Sequence, residues 1–297
     1  MKVRRVGIIL KRGYAQSRRM AGEISQWLES RGITTLVDRI DKDLDLLLVL
    51  GGDGTLLHVA AEACEHGIPI LGINLGGLGF LTEVAVDERM AILERIAADD
   101  LPVEERMMLR VRLRRGDDLT PWIYALNDVV INKGAEDRMA RLGAWVDDEY
   151  LATYRSDGLI IATSTGSTAY NLSAGGPIVH PRLDAFVVTP ICPFMLESRP
   201  VLLAASHTLL VEIAQAGIES PGQDRQGDEA GEGYKKATGL QVIVDGQKQF
   251  ELCASESLEV VAAEKKLRLV TSPWKGYFAI LRGKLNWAAG YSFSSNA

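Results

Sequence analysis

Apolar and polar positions alternate in two different ways along this chain. In its first third, short unbroken apolar runs take turns with stretches in which apolar residues recur at helical spacing. The runs are Val6 to Leu10, Ile33 to Val37, Leu46 to Leu50 and Ile68 to Ile73, the pattern of strands buried on both faces of a parallel sheet. Between the first two, Met20, Ile24, Trp27 and Leu28 share one helical face, with Ser17 as candidate N-cap and Gly32 as the stop. After Leu50, the residues Leu56, Leu57, Ala60, Ala61 and Cys64 repeat that spacing as far as Gly67, and Glu88 to Ala97 closes the region as a helix. Such alternation predicts an α/β domain whose parallel sheet is covered on both sides.

From about Pro102 the texture changes. Met107 to Leu113, Trp122 to Ile131, Gly143 to Asp147, Leu159 to Ala162, Phe186 to Thr189, Thr208 to Ile213, Leu240 to Val244 and Leu267 to Val270 read as short strands separated by turns, without long helices. A β-rich second domain follows. Gly217 to Gly239 is polar, glycine-rich and lacks an apolar period, so it reads as a loop between two strands, a tolerated insertion first and a functional lid as the alternative. Tyr277 to Trp287 turns apolar again and is expected to return to the first domain. The organisation predicted is 1–100 for the α/β domain, 101–272 for the β-rich domain with its loop at 217–239, and 273–297 for the returning segment.

Length and composition bound the function. A chain of 297 residues supports two cores, and 47% hydrophobic with 24% charged residues is a globular balance. The formal charge of −6 argues against nucleic acid as a partner, because phosphate backbones demand a basic face. It leaves room for a small anion held by local donors. No apolar run reaches membrane-spanning length, and MKVRRVGIILKRG enters a strand without a cleavage site, so no membrane partner and a cytoplasmic location are expected. Three scattered cysteines and four scattered histidines form neither a disulfide framework nor a zinc pattern.

The chemistry concentrates in a few segments. Leu46 to His58 reads LLLVLGGDGTLLH, a buried strand ending in glycines and opening a helix. Such a turn lets the backbone approach an anion, which the free N–H groups at the helix start then face. Asp53 in its midst would repel phosphate. It serves as a helix cap, as a base for a nucleophilic hydroxyl, or as a metal holder. NLGGLGFL, from Asn74 to Leu81, is a second glycine-rich turn. Arg155 to Pro177, RSDGLIIATSTGSTAYNLSAGGP, places a dense run of hydroxyls after a strand, suited to a ligand with many acceptors or to ordinary helix caps. Tyr170 is placed to stack on a planar base, while Asp157 and Arg155 suit an amino group and a phosphate. Asn127 and Asp128 interrupt the apolar YALNDVVI, so a turn or a ligand must account for them. Gln247 follows the Asp245–Gly246 pair, which reads first as a hairpin turn.

GGDGT at Gly51 to Thr55, LND at Leu126 to Asp128 and the long Thr/Ser/Gly block at Asp157 to Pro177 stand in an order that closely resembles bacterial NAD kinases. These belong to a superfamily shared with diacylglycerol and sphingosine kinases. The resemblance implies an α/β N-terminal domain with a Rossmann-like parallel sheet, a β-sandwich-like C-terminal domain, and an active site formed by both. It implies transfer of the γ-phosphoryl group of ATP, or of a polyphosphate phosphoryl, to the 2′-hydroxyl of the adenosine ribose of NAD. Magnesium or another divalent cation would be held mainly through the phosphates, with no metal ligand from the protein. Asp53 matches the family's proton acceptor, and Gly51, Gly52, Gly54 and Thr55 match its donor-phosphate loop. Positions matching NAD contacts are Asp53, Gly54, His58, Asn127, Asp128, Arg138, Arg155, Asp157, Thr165, Thr168, Ala169, Tyr170, Asn171, Leu172, Ser173 and Gln247. A homodimer or homotetramer is implied as well. Two departures are visible. Ser164 replaces the proline common in the TPTGST block, which predicts a looser turn, and the 217–239 loop is long. A lipid kinase would need an acyl site or a basic membrane face, which the composition lacks. A dehydrogenase-like binder would need G-x-G-x-x-G after the first strand, and would leave Asp53 unexplained.

Overall fold

A computed structural model describes residues 2–134, 139–214 and 240–287. Arg138 and the 217–239 loop therefore lie outside the described residues. The chain forms two compact units, Met1–Arg106 with Lys265–Ala297, and Met107–Glu264. In chain order the first unit begins with β1 (Arg5–Leu10), α1 (Ala15–Glu29), β2 (Thr34–Val37), β3 (Leu46–Gly51), α2 (Asp53–His66), β4 (Ile70–Asn74), β5 (Val84–Ala85), α3 (Arg89–Ala97) and β6 (Val103–Arg106). The second holds β7 (Leu109–Arg115), β8 (Asp118–Leu119), β9 (Ile123–Ala125), β10 (Asp128–Asn132), β11 (Ala140–Val146), β12 (Glu149–Ser156), β13 (Gly158–Thr163), the short helix α4 (Tyr170–Ser173) and β14 (Ala185–Ile191). It continues with β15 (Val201–Ala204), β16 (Leu209–Ile213), β17 (Leu240–Val244), β18 (Lys248–Leu252) and β19 (Ser257–Ala262), after which β20 (Leu267–Val270) and α5 (Tyr277–Leu285) complete the first unit.

The first unit is a sheet of order β2-β1-β3-β4-β20-β6, with β5 added beside β4. Its pairings are parallel except that of β20 with β6. Leu46 to Leu50 are wholly buried, as a central strand covered on both faces requires. Met20, Ile24 and Leu28 of α1 share a core with Ile92, Leu93 and Ile96 of α3, while α2 buries Leu56, Val59, Ala60, Ala63 and Cys64. Ser17 does not cap α1. It lies inside the first turn, buried, and its hydroxyl donates to the Tyr14 carbonyl at 2.6 Å. The left-handed Gly67 (φ 69°) ends α2 where the pattern predicted.

The second unit is a sandwich of two antiparallel sheets, β15-β14-β13-β10-β17-β18 and β12-β11-β16-β19-β7-β8, the latter with β9 beside β7. Alternate residues of both sheets, among them Leu109, Val111, Leu142, Val129, Leu159 and Phe186, form one core. On the other face of β13, Ile160 and Ala162 pack with Val130 in a smaller cluster that Ala174 partly covers. Trp122 to Ile131, read as one run, is broken. β9 pairs with β7 in one sheet and β10 with β13 and β17 in the other, so the chain changes sheets at Leu126 and Asn127. The unit boundaries also shift from the expected 101–272 to Met107–Glu264. Leu267 to Val270 lies parallel to β4, and four apolar residues in a row do not by themselves say which sheet they will join.

Candidate active site

The sheet order β2-β1-β3-β4 reverses between β1 and β3, and in open α/β sheets ligands collect outside the carboxyl ends of strands at such a reversal. An open cleft of ≈ 1430 Å³ lies there, lined among others by Lys11, Arg12, Gly54, Thr55, His58 and Glu62. Arg18 and Arg19 also line it, so four cations gather locally on a protein of net negative charge. A Cβ at Gly52 or Gly54 would meet nothing within 4 Å. The fold's own packing does not demand these glycines, which fits a backbone kept bare for a ligand.

Asp53 begins α2 without capping it. Its carboxylate turns to the loop after β4, where Oδ1 accepts from the Leu81 N–H (3.1 Å), the Thr82 N–H (2.9 Å) and the Thr82 hydroxyl (2.8 Å). Among the described residues Oδ2 accepts from the Phe80 N–H alone, at 2.9 Å. A carboxylate has about four lone-pair sites, two per oxygen, so Oδ2 keeps acceptor capacity that Oδ1 has used. Asn74 Nδ2 donates to the Thr82 hydroxyl at 2.7 Å, which orients it toward Asp53. A Cβ at Gly79 would collide with Asp53 Oδ1 and Thr82 Oγ1, so NLGGLGFL is a cradle built around this carboxylate.

In the second unit, Asp128 faces Ala162 across the β10–β13 ladder, and Val129 faces Val244 of β17. The same sheet end therefore gathers Asn127 and Asp128, the Thr163–Ser173 block and the turn bearing Gln247. Asp245 ties them together. Its carboxylate accepts the Leu126, Asn127 and Asp128 N–H groups at 2.8, 2.8 and 3.0 Å. The Asn127 carbonyl accepts the Thr163 N–H at 2.8 Å, and a Cβ at Gly166 would collide with that carbonyl. Burial first, and the Asp245 carboxylate second, push the Asp128 carboxyl up to about 7. Burial raises Asp245 too, against the pull of its three amide donors.

Within the hydroxyl block the roles divide. The single Ser164 O–H has the Leu183 and Ala185 carbonyls within reach at 2.6 and 3.0 Å, so it ties down the turn that loss of the proline was expected to loosen. Ser167 binds the Ser164 and Val179 carbonyls. The wholly buried Asn171 spends its amide on the Ser167 and Pro177 carbonyls and on the Thr189 hydroxyl. Thr165 differs, since its buried hydroxyl has no hydrogen-bond partner among the described residues. Tyr170 is 44% exposed, with its ring available for stacking, and Ser173 is exposed beside the half-buried Thr168, Ala169 and Leu172.

Arg155 and Asp157 fall elsewhere. They precede β13, whereas Thr163 ends it, and six residues of strand span about 20 Å. Asp157 pairs with Lys133 at 2.8 Å, and the Arg155 guanidinium lies 5.1 Å from the Phe194 ring centre. The second unit thus splits the expected binding residues into two groups at opposite ends of β13. Sequence reasoning did not foresee the parts played by Asp245 and by the Phe80–Thr82 amides. Backbone donors leave no side-chain signature, and Asp245 read only as a hairpin residue, which its φ of 50° and that of Gly246, 68°, also make it.

Among the described residues no three His, Cys, Asp or Glu side chains converge as a metal site. No helix of the described residues is long and apolar enough to cross a membrane.

Comparison with known proteins bears on the family and the fold. Family models described as the ATP-NAD kinase N-terminal and C-terminal domains match residues 35–101 and 126–221. The chain is 42% identical to the NAD kinase of Geotalea daltonii over 284 residues, which are 90% of this chain and 93% of that one. It is 40% identical to the NAD kinase of Trichlorobacter lovleyi over 301 residues, 96% and 99% of the two chains. Among solved structures, yeast NADH kinase complexed with NADH shares the fold with a TM-score of 0.82 at 23% identity, covering 100% of this chain and 90% of that one. An NAD kinase from Archaeoglobus fulgidus in complex with ATP matches with a TM-score of 0.72 at 25% identity, over 95% and 98%.

Proposed function

We propose that this chain, which belongs to the NAD kinase family of phosphotransferases, moves the γ-phosphoryl group of ATP to the 2′-hydroxyl of the adenosine ribose of NAD, with Oδ2 of Asp53 as proton acceptor. The observation that carries this reading is the unequal load on the two Asp53 oxygens. Three donors hold Oδ1 and one holds Oδ2, which fixes the carboxylate and leaves one oxygen able to take a proton. The 2′-oxygen forms its bond to the γ-phosphorus as its proton passes to Oδ2. The bridging P–O bond breaks, and ADP leaves with the electron pair. Because the transition state of phosphoryl transfer is loose, positioning and electrostatics supply most of the acceleration.

The cleft cations and the bare turn at Gly52 and Gly54 suit the donor triphosphate, and Gly51 and Thr55 complete that loop. A divalent cation accompanying ATP would arrive as part of the donor and neutralise its charge. Asp128 and Asn127 suit paired ribose hydroxyls, while Thr165, Thr168 and Ser173 supply hydroxyls and Tyr170 a stacking face for the rest of NAD. Leu172, Ala169, Gln247 and His58 complete the expected contacts. The side chain of Asn171 acts by holding the loop.

Purified protein incubated with NAD and ATP in a magnesium buffer, read by an NADP-specific dehydrogenase, tests the reading. NADP formation that vanishes in Asp53→Asn supports it. NADP formed from polyphosphate but not from ATP would change the donor, and NAD binding without product from either would overturn the reading.

A further inference from the structure

Glu83 has no part in the reaction as described, yet it occupies an unusual place. It directly follows Thr82, the last donor to Asp53, and directly precedes β5. It is 6% exposed, and its Oε2 accepts the Ser272 N–H at 2.7 Å. Its Oε1 faces Arg106 Nη2 at 3.9 Å. Arg106, itself 4% exposed, is also held by Glu104 at 3.0 Å. Ser272 lies just past β20, the strand through which the chain returns to β4 after the whole second unit. The return continues into α5, where Lys284 lies 5.7 Å from the ring centre of Phe80, another member of the Asp53 cradle. Lys275 reaches Glu88 at 2.5 Å.

We propose that Glu83 is a positioning residue for phosphoryl transfer: its carboxylate, held by the Ser272 N–H and facing Arg106, anchors the Phe80–Thr82 segment to the returning strand and so keeps the donors of Asp53 in place. The inference rests on the role proposed for Asp53.

A neutral acceptor would satisfy the Ser272 N–H just as well, so hydrogen bonding alone does not explain a buried charge, which costs free energy to desolvate. What the charge adds is attraction to Arg106 on β6, a second strand bordering β20. The groups facing Glu83 are Arg106 and Glu104 from β6, Asp53 from α2 and the Ser272 amide; Tyr277 of α5 faces Arg106. Burial raises the Glu83 carboxyl to about 7. The Ser272 amide and Arg106 pull against this, while Glu104 and Asp53 add to it. Below that pH Glu83 takes up a proton, the pull on Arg106 is lost, and the cradle loosens.

The test is the pH profile of Glu83→Gln beside the unaltered protein, with kcat measured at saturating NAD and ATP. Glu83→Gln is expected to lower kcat at pH 8 about 10-fold, the scale of a slightly misplaced reactive group, with the NAD dissociation constant within about 2-fold. The unaltered protein should lose kcat toward pH 6, and the variant should run flat from pH 6 to 8. Hydrogen exchange of the 76–83 segment gives a second reading that needs no variant. Corrected for intrinsic rates, protection should fall between pH 8 and pH 6 while β1 and β3 stay protected. Native kcat and an unchanged acid limb in Glu83→Gln would overturn the proposal, as would equal protection of 76–83 at both pH values. If Asp53→Asn is inactive while Glu83→Gln is native, this inference alone fails. If Asp53→Asn keeps its turnover, the reading of Asp53 fails first.

Discussion

Asp53 and Asp128 both border strand ends, and the fold treats them oppositely. Asp53 is half-buried and accepts four hydrogen bonds. Asp128 is buried at 6% exposure, and among the described residues nothing donates to its carboxylate, which burial and Asp245 push up to about 7. In the same unit the Thr165 hydroxyl is also buried and, among the described residues, without a partner. A carboxylate oriented in advance suits a group that reacts, because no reorganisation is then needed in the transition state. Polar groups buried at a cost and left unpaired suit recognition, because a ligand that supplies the missing partners recovers that cost. One region is complete without its ligand; the other is completed by it.

If that contrast holds, damage in the first region should appear in kcat and damage in the second in NAD affinity. Asp53→Asn is the strongest break. It removes the proton acceptor and turns an NH₂ group on the cradle donors, so kcat should fall ~10²–10⁴-fold with the NAD dissociation constant nearly unchanged. Steady-state kinetics with equilibrium NAD binding measures both. Near-native turnover would strip Asp53 of its role and erase the contrast.

Gly79→Ala tests the cradle without touching the acid. The new methyl would collide with Asp53 Oδ1 and Thr82 Oγ1, and the carboxylate must turn to make room. A loss of about 10–100-fold in kcat is expected, in keeping with the sensitivity of rate to small misplacements. Combined with Asp53→Asn it should add almost nothing, because both changes disable the same group. Full additivity would mean that Gly79 acts through the backbone alone.

On the recognition side, Thr165→Val keeps the shape and removes the orphaned hydroxyl. The protein without ligand should lose no stability, and is expected to gain up to about 1 kcal/mol because an unsatisfied polar group has gone. NAD affinity should fall about 10-fold, the worth of one hydrogen bond to a buried partner. Thermal unfolding with and without NAD reads the two effects, which have opposite signs. A loss of stability without a loss of affinity would make Thr165 a structural residue.

How much of this was legible in the sequence depended on which atoms do the work. The buried strand, the glycine turn and Asp53 were visible because side-chain type and spacing carried them. The four donors to Asp53 were not, since two are the backbone amides of Phe80 and Leu81 in NLGGLGFL, and the other two are the amide and hydroxyl of Thr82, which reads as an ordinary residue. Gly79 was read only as one glycine of that turn, and its close approach to Asp53 shows only in the folded chain. Asn127 and Asp128 were legible as an anomaly in an apolar run, and the anomaly marks the change of sheet. Asp245 concealed its second role behind its first. It builds a hairpin with Gly246, and only the folded chain shows its carboxylate reaching back to amides more than a hundred residues earlier. Ser164 misled in the other direction, because losing a proline removes a φ constraint but says nothing about the two carbonyls that a hydroxyl would find.

The smallest and most diagnostic effect lies in the pH dependence of Asp128. Its carboxyl titrates near 7 in the folded protein against an ordinary 3.8, so between about pH 4 and pH 7 the folded state binds more protons than the unfolded one. By linkage, the Asp128 contribution to unfolding free energy decreases as pH rises through that window and levels off above 7. NAD should act against this trend. Ribose hydroxyls that donate to the carboxylate favour its charged form, so binding releases a proton near pH 7 and KM for NAD should fall several-fold from pH 6 to pH 8. The effect belongs in KM because Asp128 acts on ground-state binding, whereas Asp53 acts on kcat. Asp128→Asn, which keeps one accepting oxygen and no negative charge, should bind NAD more weakly at pH 8 and show a KM that no longer varies with pH. Its stability should also lose the decline between pH 4 and pH 7, apart from the shares of Glu83 and Asp245, which burial raises in the same direction. A KM for NAD that stays flat in the unaltered protein would mean that Asp128 remains protonated with NAD bound, and its likeness to Asp53 would end at the side chain.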